Sequence, residues 1–144
     1  VITLKIADQA VTRGAQYYNA ATYNWSDVAE KEIGTVTVVT NEYTDEVWIW
    51  LSADVVQWSF YFDGSIYITI PITFRLRRDS MSGTIIISKI LAAMPGELFL
   101  MISDTPGGSA GSHVYKLTAQ GAGAYDSPTA GVATRRILAL AKSR

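Results

Sequence analysis

The sequence predicts an all-β domain, an antiparallel β-sandwich of jelly-roll type. Three observations carry that expectation. Gly and Pro punctuate the chain about every 10–20 residues, with β-branched and aromatic runs between them, as in sandwiches and barrels rather than helix bundles. Ile66, Ile68, Ile70, Ile72, Phe74 and Leu76 alternate with Tyr67, Thr69, Pro71, Thr73, Arg75 and Arg77, a period of two that fits a half-buried strand. The last third, Asp104 to Arg144, reads as a Gly/Ser-rich turn, an alternating strand, a flexible loop and a final strand ending on basic residues.

Taken in order, Thr35–Thr40 is a β-branched strand, and the polar turn Asn41–Asp45 separates it from Glu46–Ser52. Gln57–Phe62 follows, closed by Asp63-Gly64, a hairpin dipeptide because Gly accepts a positive φ at little cost. Within the long alternating run, Pro71 cannot donate to a ladder, so it implies an edge, a bulge or a strand crossing between sheets. Arg78–Gly83 is a turn, Thr84–Ser88 a strand, Lys89–Met94 undecided, and Glu97–Ser103 a strand after Pro95-Gly96. The terminal run Val132–Lys142 has the propensity of a helix. Its position after the Gly121–Pro128 linker favours a strand paired with Val114–Gln120.

Composition narrows the function. Apolar residues make up 49% and charged ones 17%, so the chain can bury a core and is not disordered. At 144 residues one domain is expected. Twelve basic against thirteen acidic residues give a net charge of −1, which supplies no electrostatic reason to expect nucleic acid or an anionic membrane. No apolar run reaches the roughly 18 residues of a membrane span, so no membrane insertion is expected. The opening has no charged region followed by an apolar one, as a signal peptide would. A start on Val1 instead of Met reads as processing or, preferably, as a piece of a longer chain. With no cysteine, neither disulfides nor thiolate metal sites are available, and nothing implies a cofactor.

Three strands, Val47–Leu51, Ile85–Ile87 and Leu98–Ile102, are apolar on both faces. A strand in a lone sandwich has one wet face and should alternate. Such strands need a second cover, either another copy of the chain or a loop of the same chain such as Arg13–Ile33. Covering one Trp or Leu face is worth about 1.5–3 kcal/mol per side chain, so several together would hold a permanent oligomer. Trp48 and Trp50, which share the face opposite Ile49, read as core or subunit-interface residues, and with Ile2, Leu4 and Ile6 of the alternating N-terminus they are the interface candidates.

Three local patterns resemble the distal end of phage tail fibres and related virion attachment proteins. Lys5-Ile-Ala-Asp-Gln-Ala-Val-Thr12 resembles a fibre-shaft repeat. Ile72-Thr-Phe-Arg-Leu-Arg-Arg-Asp79 with Gly83-Thr84-Ile85 is similar to that family's Arg-rich hairpin. Asp104-Thr-Pro-Gly with Ser112-His-Val-Tyr-Lys-Leu-Thr-Ala119 and Arg136–Lys142 is similar to its closing hairpin and last strand. The patterns occur in the family's order and touch about a third of the chain. Two departures stand out: the turn Ser80–Gly83 is longer than the family's, and Ala141 stands where an acidic residue is usual. The resemblance implies a homotrimeric tip (residues 34–144) on a shaft-like or linker segment (residues 1–33), at the virion surface or outside the cell, binding a host-surface glycan or protein.

No catalytic motif competes. The single histidine, His113, sits at a turn-to-strand position where hydrogen bonding or packing is the expected role rather than that of a general base. Asp45, Glu46, Asp54 and Asp63 have the side chains of glycosidase acids but no spacing that pairs them. No Asp-x-Asp or His-x-His spacing favours a metal. Trp58, Tyr61, Tyr17, Tyr18, Tyr23 and Trp25 lie in or beside loop-like sequence and are candidate receptor or glycan contacts, the alternative being packing under loops. Two other functions suit the same residues: a carbohydrate-binding module of a secreted enzyme, or a surface-filament subunit whose N-terminal strand inserts into a neighbour.

Overall fold

The computed structural model describes residues 13–40, 45–92, 96–107, 111–123 and 127–142; Ile2, Leu4 and Ile6 lie outside this set. Eleven strands account for the described secondary structure: β1 (Arg13–Asn19), β2 (Tyr23–Trp25), β3 (Lys31–Thr40), β4 (Glu46–Gln57), β5 (Phe60–Phe62), β6 (Tyr67–Thr69), β7 (Ile72–Arg78), β8 (Ile85–Leu91), β9 (Glu97–Asp104), β10 (Gly111–Gln120) and β11 (Ala130–Lys142). One sheet has the order β1-β11-β4-β9, with β2 added to β11; the other has the order β3-β10-β7-β8. An antiparallel five-stranded layer against a four-stranded one, threaded in this order, is a jelly roll. The small β5–β6 sheet is inserted between β4 and β7.

Period-two patterning explains which face of each strand is buried. In β4, Val47, Ile49, Leu51, Ala53 and Val55 are buried, and the residues between them are half-buried or exposed. In β7, Ile72, Phe74 and Leu76 do the same from the opposite layer. They meet Leu117 of β10, Ile137 of β11 and Leu98 of β9 in one core.

The long alternating run is not one strand. It breaks at Pro71, so β6 stays in the small sheet while β7 enters the second large one. Pro71, lacking an N–H, marks the crossing between sheets, one of the three roles its chemistry allows. The Asp63-Gly64 turn joins β5 to β6 as expected, with Gly64 at φ 101° and the Asp63 carboxylate accepting the Ser65 and Ile66 N–H groups at 2.8 and 2.9 Å. The undecided segment after Ser88 continues β8 to Leu91.

The C-terminal run is a strand, but its predicted partner is corrected. β11 pairs with β1, β2 and β4, whereas β10 pairs with β3 and β7 in the other layer. The expected closing hairpin is therefore a crossover between layers. β9 and β10 likewise lie in different layers. Alternation specifies which residues point inward but not which sheet a strand joins.

Residues 13–33, read from sequence as part of a shaft-like or linker segment, contribute β1, β2 and the start of β3 to these sheets.

Candidate functional site

The two large sheets present very different outer faces. On the second, Arg75, Arg77, Lys116 and Glu32 project outward, and Glu30 reaches in to join them. Glu30 bonds Arg75 at 2.9 Å and Arg77 at 2.5 and 2.9 Å, and Lys116 pairs with Glu32. The Arg77 guanidinium, by hydrogen bonding, holds the Glu30 carboxyl below its ordinary range and is itself raised in return. Val39 of β3 and Ile85 and Ile90 of β8 also stand in water on this face, at 46%, 46% and 62% exposure.

The first sheet is apolar outside as well as inside. Its register aligns Tyr18, Arg136, Ser52 and Phe99 in one outward row, Gln16, Leu138, Trp50 and Met101 in the next, and Gly14, Leu140, Trp48 and Ser103 in a third. Phe99 is 63% exposed, Met101 61%, Leu138 39% and Trp48 38%. Trp48 and Trp50 meet edge to face at 6.4 Å, and Lys142 lies over the Trp48 ring at 4.8 Å. Arg136 lies over Tyr18 at 4.7 Å. A shallow cleft of about 610 Å³ runs across this face between Tyr18, Trp50, Ser52, Phe99 and Arg136. No described loop covers it: residues 13–33, one of the two sources of cover suggested by the sequence, form strands beside it instead.

The sequence-predicted contacts are dispersed. Trp25 and Trp58, candidate contacts for which packing under loops was the alternative, are core residues at 4% and 9% exposure. Trp25 pairs across from Ala130 of β11, which turns its ring inward. Tyr17 and Tyr23 are half-buried against the core, Tyr61 is half-buried in β5, and Tyr18 is 58% exposed. Trp48 and Trp50 do occupy the outer face, where Phe99, Met101 and Leu138 join them. Phe99 and Met101 belong to a strand whose two apolar faces the sequence showed, but their position beside Trp48 and Trp50, and that of Leu138, was missed because β9 and β11 could not be placed beside β4 from sequence. Also missed was the exposed apolar tip of the β5–β6 hairpin, where Phe62 (47% exposed), Ile66 (61%) and Tyr67 (69%) cluster, with Tyr67 5.0 Å from Phe62 and 5.3 Å from Phe60. Their position beside Asp63-Gly64 was the available signal.

His113 packs in β10 with Nδ1 3.8 Å from the Asp79 carboxylate, and its Nε2 has no hydrogen-bond partner among the described residues. A second polar cluster ties the layers together. Arg78 grips both oxygens of Asp104 at 2.8 and 2.7 Å, and the hydroxyl of fully buried Tyr115 donates to the same carboxylate at 2.6 Å. Burial, then the Asp104 bond, pushes the Tyr115 phenol far up, so it remains a donor.

No protein-family model matches this sequence, and no curated protein sequence does either. Among solved structures, the chain is similar to a Bacillus endospore appendage subunit, from disulfide-linked pili, at 11% identity and a TM-score of 0.45, covering 94% of each chain. It is also similar to VP2 of infectious bursal disease virus in its subviral particle, at 11% identity and a TM-score of 0.48, covering 92% of this chain and 33% of that one. A third similarity is to PorU of Porphyromonas gingivalis, at 10% identity and a TM-score of 0.47, covering 92% of this chain and 13% of that one.

Proposed function

We propose that this chain is a non-catalytic structural domain of a virion attachment protein, the distal tip of a tail fibre, assembled as a homotrimer and engaging a host-surface glycan or protein. The observation that carries the reading is the contrast between the outer sheet faces. One is centred on the ion pairs of Glu30 with Arg75 and Arg77 and of Glu32 with Lys116, its apolar residues Val39, Ile85 and Ile90 lying on the flanking strands β3 and β8. The other presents Phe99, Met101, Trp48 and Leu138 to water in a single copy. Four strands about 4.8 Å apart and three outward rows span roughly 300–400 Å², within which Trp48, Trp50, Met101, Leu138, Leu140 and Phe99 are contiguous. A second copy of the same face is the occupant that matches it in kind, since apolar surface is best covered by apolar surface. The β5–β6 tip, with Phe62 and Tyr67 in water, remains available for the host contact.

Sedimentation equilibrium is the test. A stable species at three times the 15.7 kDa chain mass supports the fibre tip, and a folded monomer at high concentration overturns it. A filament subunit is the second reading, favoured by one feature. β9 lies at a sheet edge and carries neither Lys nor Pro over Glu97–Asp104, so its unpaired backbone is open to a strand from a neighbour. Open-ended polymers in the same experiment would select it.

A further inference from the structure

Among the described residues, the interior of the sandwich holds one guanidinium that no ion pair includes. Arg135 is 4% exposed and follows Thr134, whose φ of 40° lies in the left-handed region, within the bulge where β11 slips its register against β4. The side chain faces inward. Its Nε donates to the Ile33 carbonyl at 2.9 Å, and its Nη1 donates to the carbonyls of Ala21 and Val132. A guanidinium has five N–H donors, so these bonds leave the two on Nη2. None of the ion pairs among the described residues includes Arg135. A buried charge met only by neutral dipoles is costly, and a counter-charge would relieve it.

The same side chain lines a cleft of about 250 Å³ together with Tyr17, Asn19, Tyr23, Glu32 and Thr35. Glu32 is paired with Lys116 on its outer side. Asn19 uses its Oδ1 to accept the Ala21 N–H at 2.8 Å, which leaves its amide N–H₂ as a donor. The Tyr17 ring can lie against β3 because position 34 is glycine: a Cβ there would meet the ring at 3.0 Å. The volume is more than ten times the ~10–15 Å³ one water needs, so a bare carboxylate would leave most of it unfilled. Two phenol rings provide faces for a sugar ring, and Asn19 and Thr35 can hydrogen-bond hydroxyls.

We propose that this cleft binds a carboxylated sugar unit, its carboxylate on Nη2 of Arg135 and its ring between Tyr17 and Tyr23. The choice of a sugar rests on the attachment reading above; the anion preference rests on Arg135 alone. The test is an NMR titration of the full chain with D-glucuronate, glucose and acetate. Saturable shifts at Tyr17, Tyr23 and Thr35 with glucuronate are expected, with affinity at least tenfold above either glucose or acetate. Arg135→Lys should abolish the preference for glucuronate over glucose. Because that variant removes an interior clamp, Thr35→Glu provides the second test. Thr35 is exposed, and a carboxylate there should weaken glucuronate at least tenfold with melting unchanged. Equal affinity for glucose or acetate, no saturation by about 10 mM, or an indifferent Thr35→Glu would overturn the proposal. A trimer that ignores glucuronate rejects the cleft and keeps the assembly; a monomer that binds it does the reverse.

Discussion

Truncating Phe99 to alanine tests whether the outer face of the first sheet holds copies of the chain together. The side chain stands on edge strand β9, opposite Ser52, with 63% of its surface in water. A Phe presents about 200 Å², so roughly 125 Å² is exposed in one copy and would be covered on association. At about 25 cal/mol per Å² that is about 3 kcal/mol, of which alanine forfeits about 2–3 kcal/mol per interface. The association constant should therefore fall roughly 30- to 150-fold per interface. Folding should change little, because the ring lies outside the core and an outward strand position is worth at most about 1 kcal/mol. Sedimentation equilibrium across a concentration series reads the association, and thermal melting of the dissociated form reads the fold. Phe99→Leu, which keeps most of the apolar area, should recover most of the affinity. An unchanged association constant in Phe99→Ala would refute the assignment of this face, even if the protein were trimeric.

Three further outcomes are expected. Tyr115→Phe removes a buried donor from the Asp104 carboxylate and should cost about 1–3 kcal/mol in denaturant unfolding; no loss would mean that Arg78 alone satisfies Asp104. Glu30→Gln should lower stability near neutral pH by about 1–3 kcal/mol. The folded carboxyl is held below its ordinary value of 4.5, so its stabilisation is present above that value and is lost as pH falls through the folded pKa. Urea midpoints of wild type and variant should accordingly converge in acid; a gap that persists there would discount the Arg77 pairing. Gly34→Ala places a Cβ 3.0 Å from the Tyr17 ring and 3.1 Å from Ile137 Cδ1. Overpacking of this kind costs about 1–3 kcal/mol, and the displaced ring should also weaken glucuronate in the titration; an unaltered melting curve with full binding would show that the ring has room to move.

Much of the fold was legible because strand periodicity is local. Val47, Ile49 and Leu51 announce an inward face without reference to any partner, and the unusual apolarity of Trp48, Trp50, Phe99 and Met101 on the other side was visible in the same way. Which strands lie together was not legible. A jelly roll alternates its strands between layers, so neighbours in sequence such as β10 and β11 sit in opposite sheets. Nothing in their alternation distinguishes that from a hairpin. The aromatic contacts failed for a related reason. Trp25 and Trp58 sit in short or irregular segments that read as loops, and their burial depends on β11 beside Trp25 and on Gly96 beside Trp58, both from elsewhere in the chain.

The amino-acid sequence by itself determined that this is an all-β chain with a core, a hairpin at Asp63-Gly64, and more apolar strand surface than a solitary sandwich can hide. These properties follow from residue type and period-two order. Only the tertiary structure decided that Trp48, Trp50, Phe99, Met101 and Leu138 gather on the outside of one sheet, and that Arg135 is carried inward to a cleft lined by Tyr17 and Tyr23 with no ion pair among the described residues. Both arise from the register between strands far apart in the chain, which is set by packing the whole sandwich rather than by any segment of it.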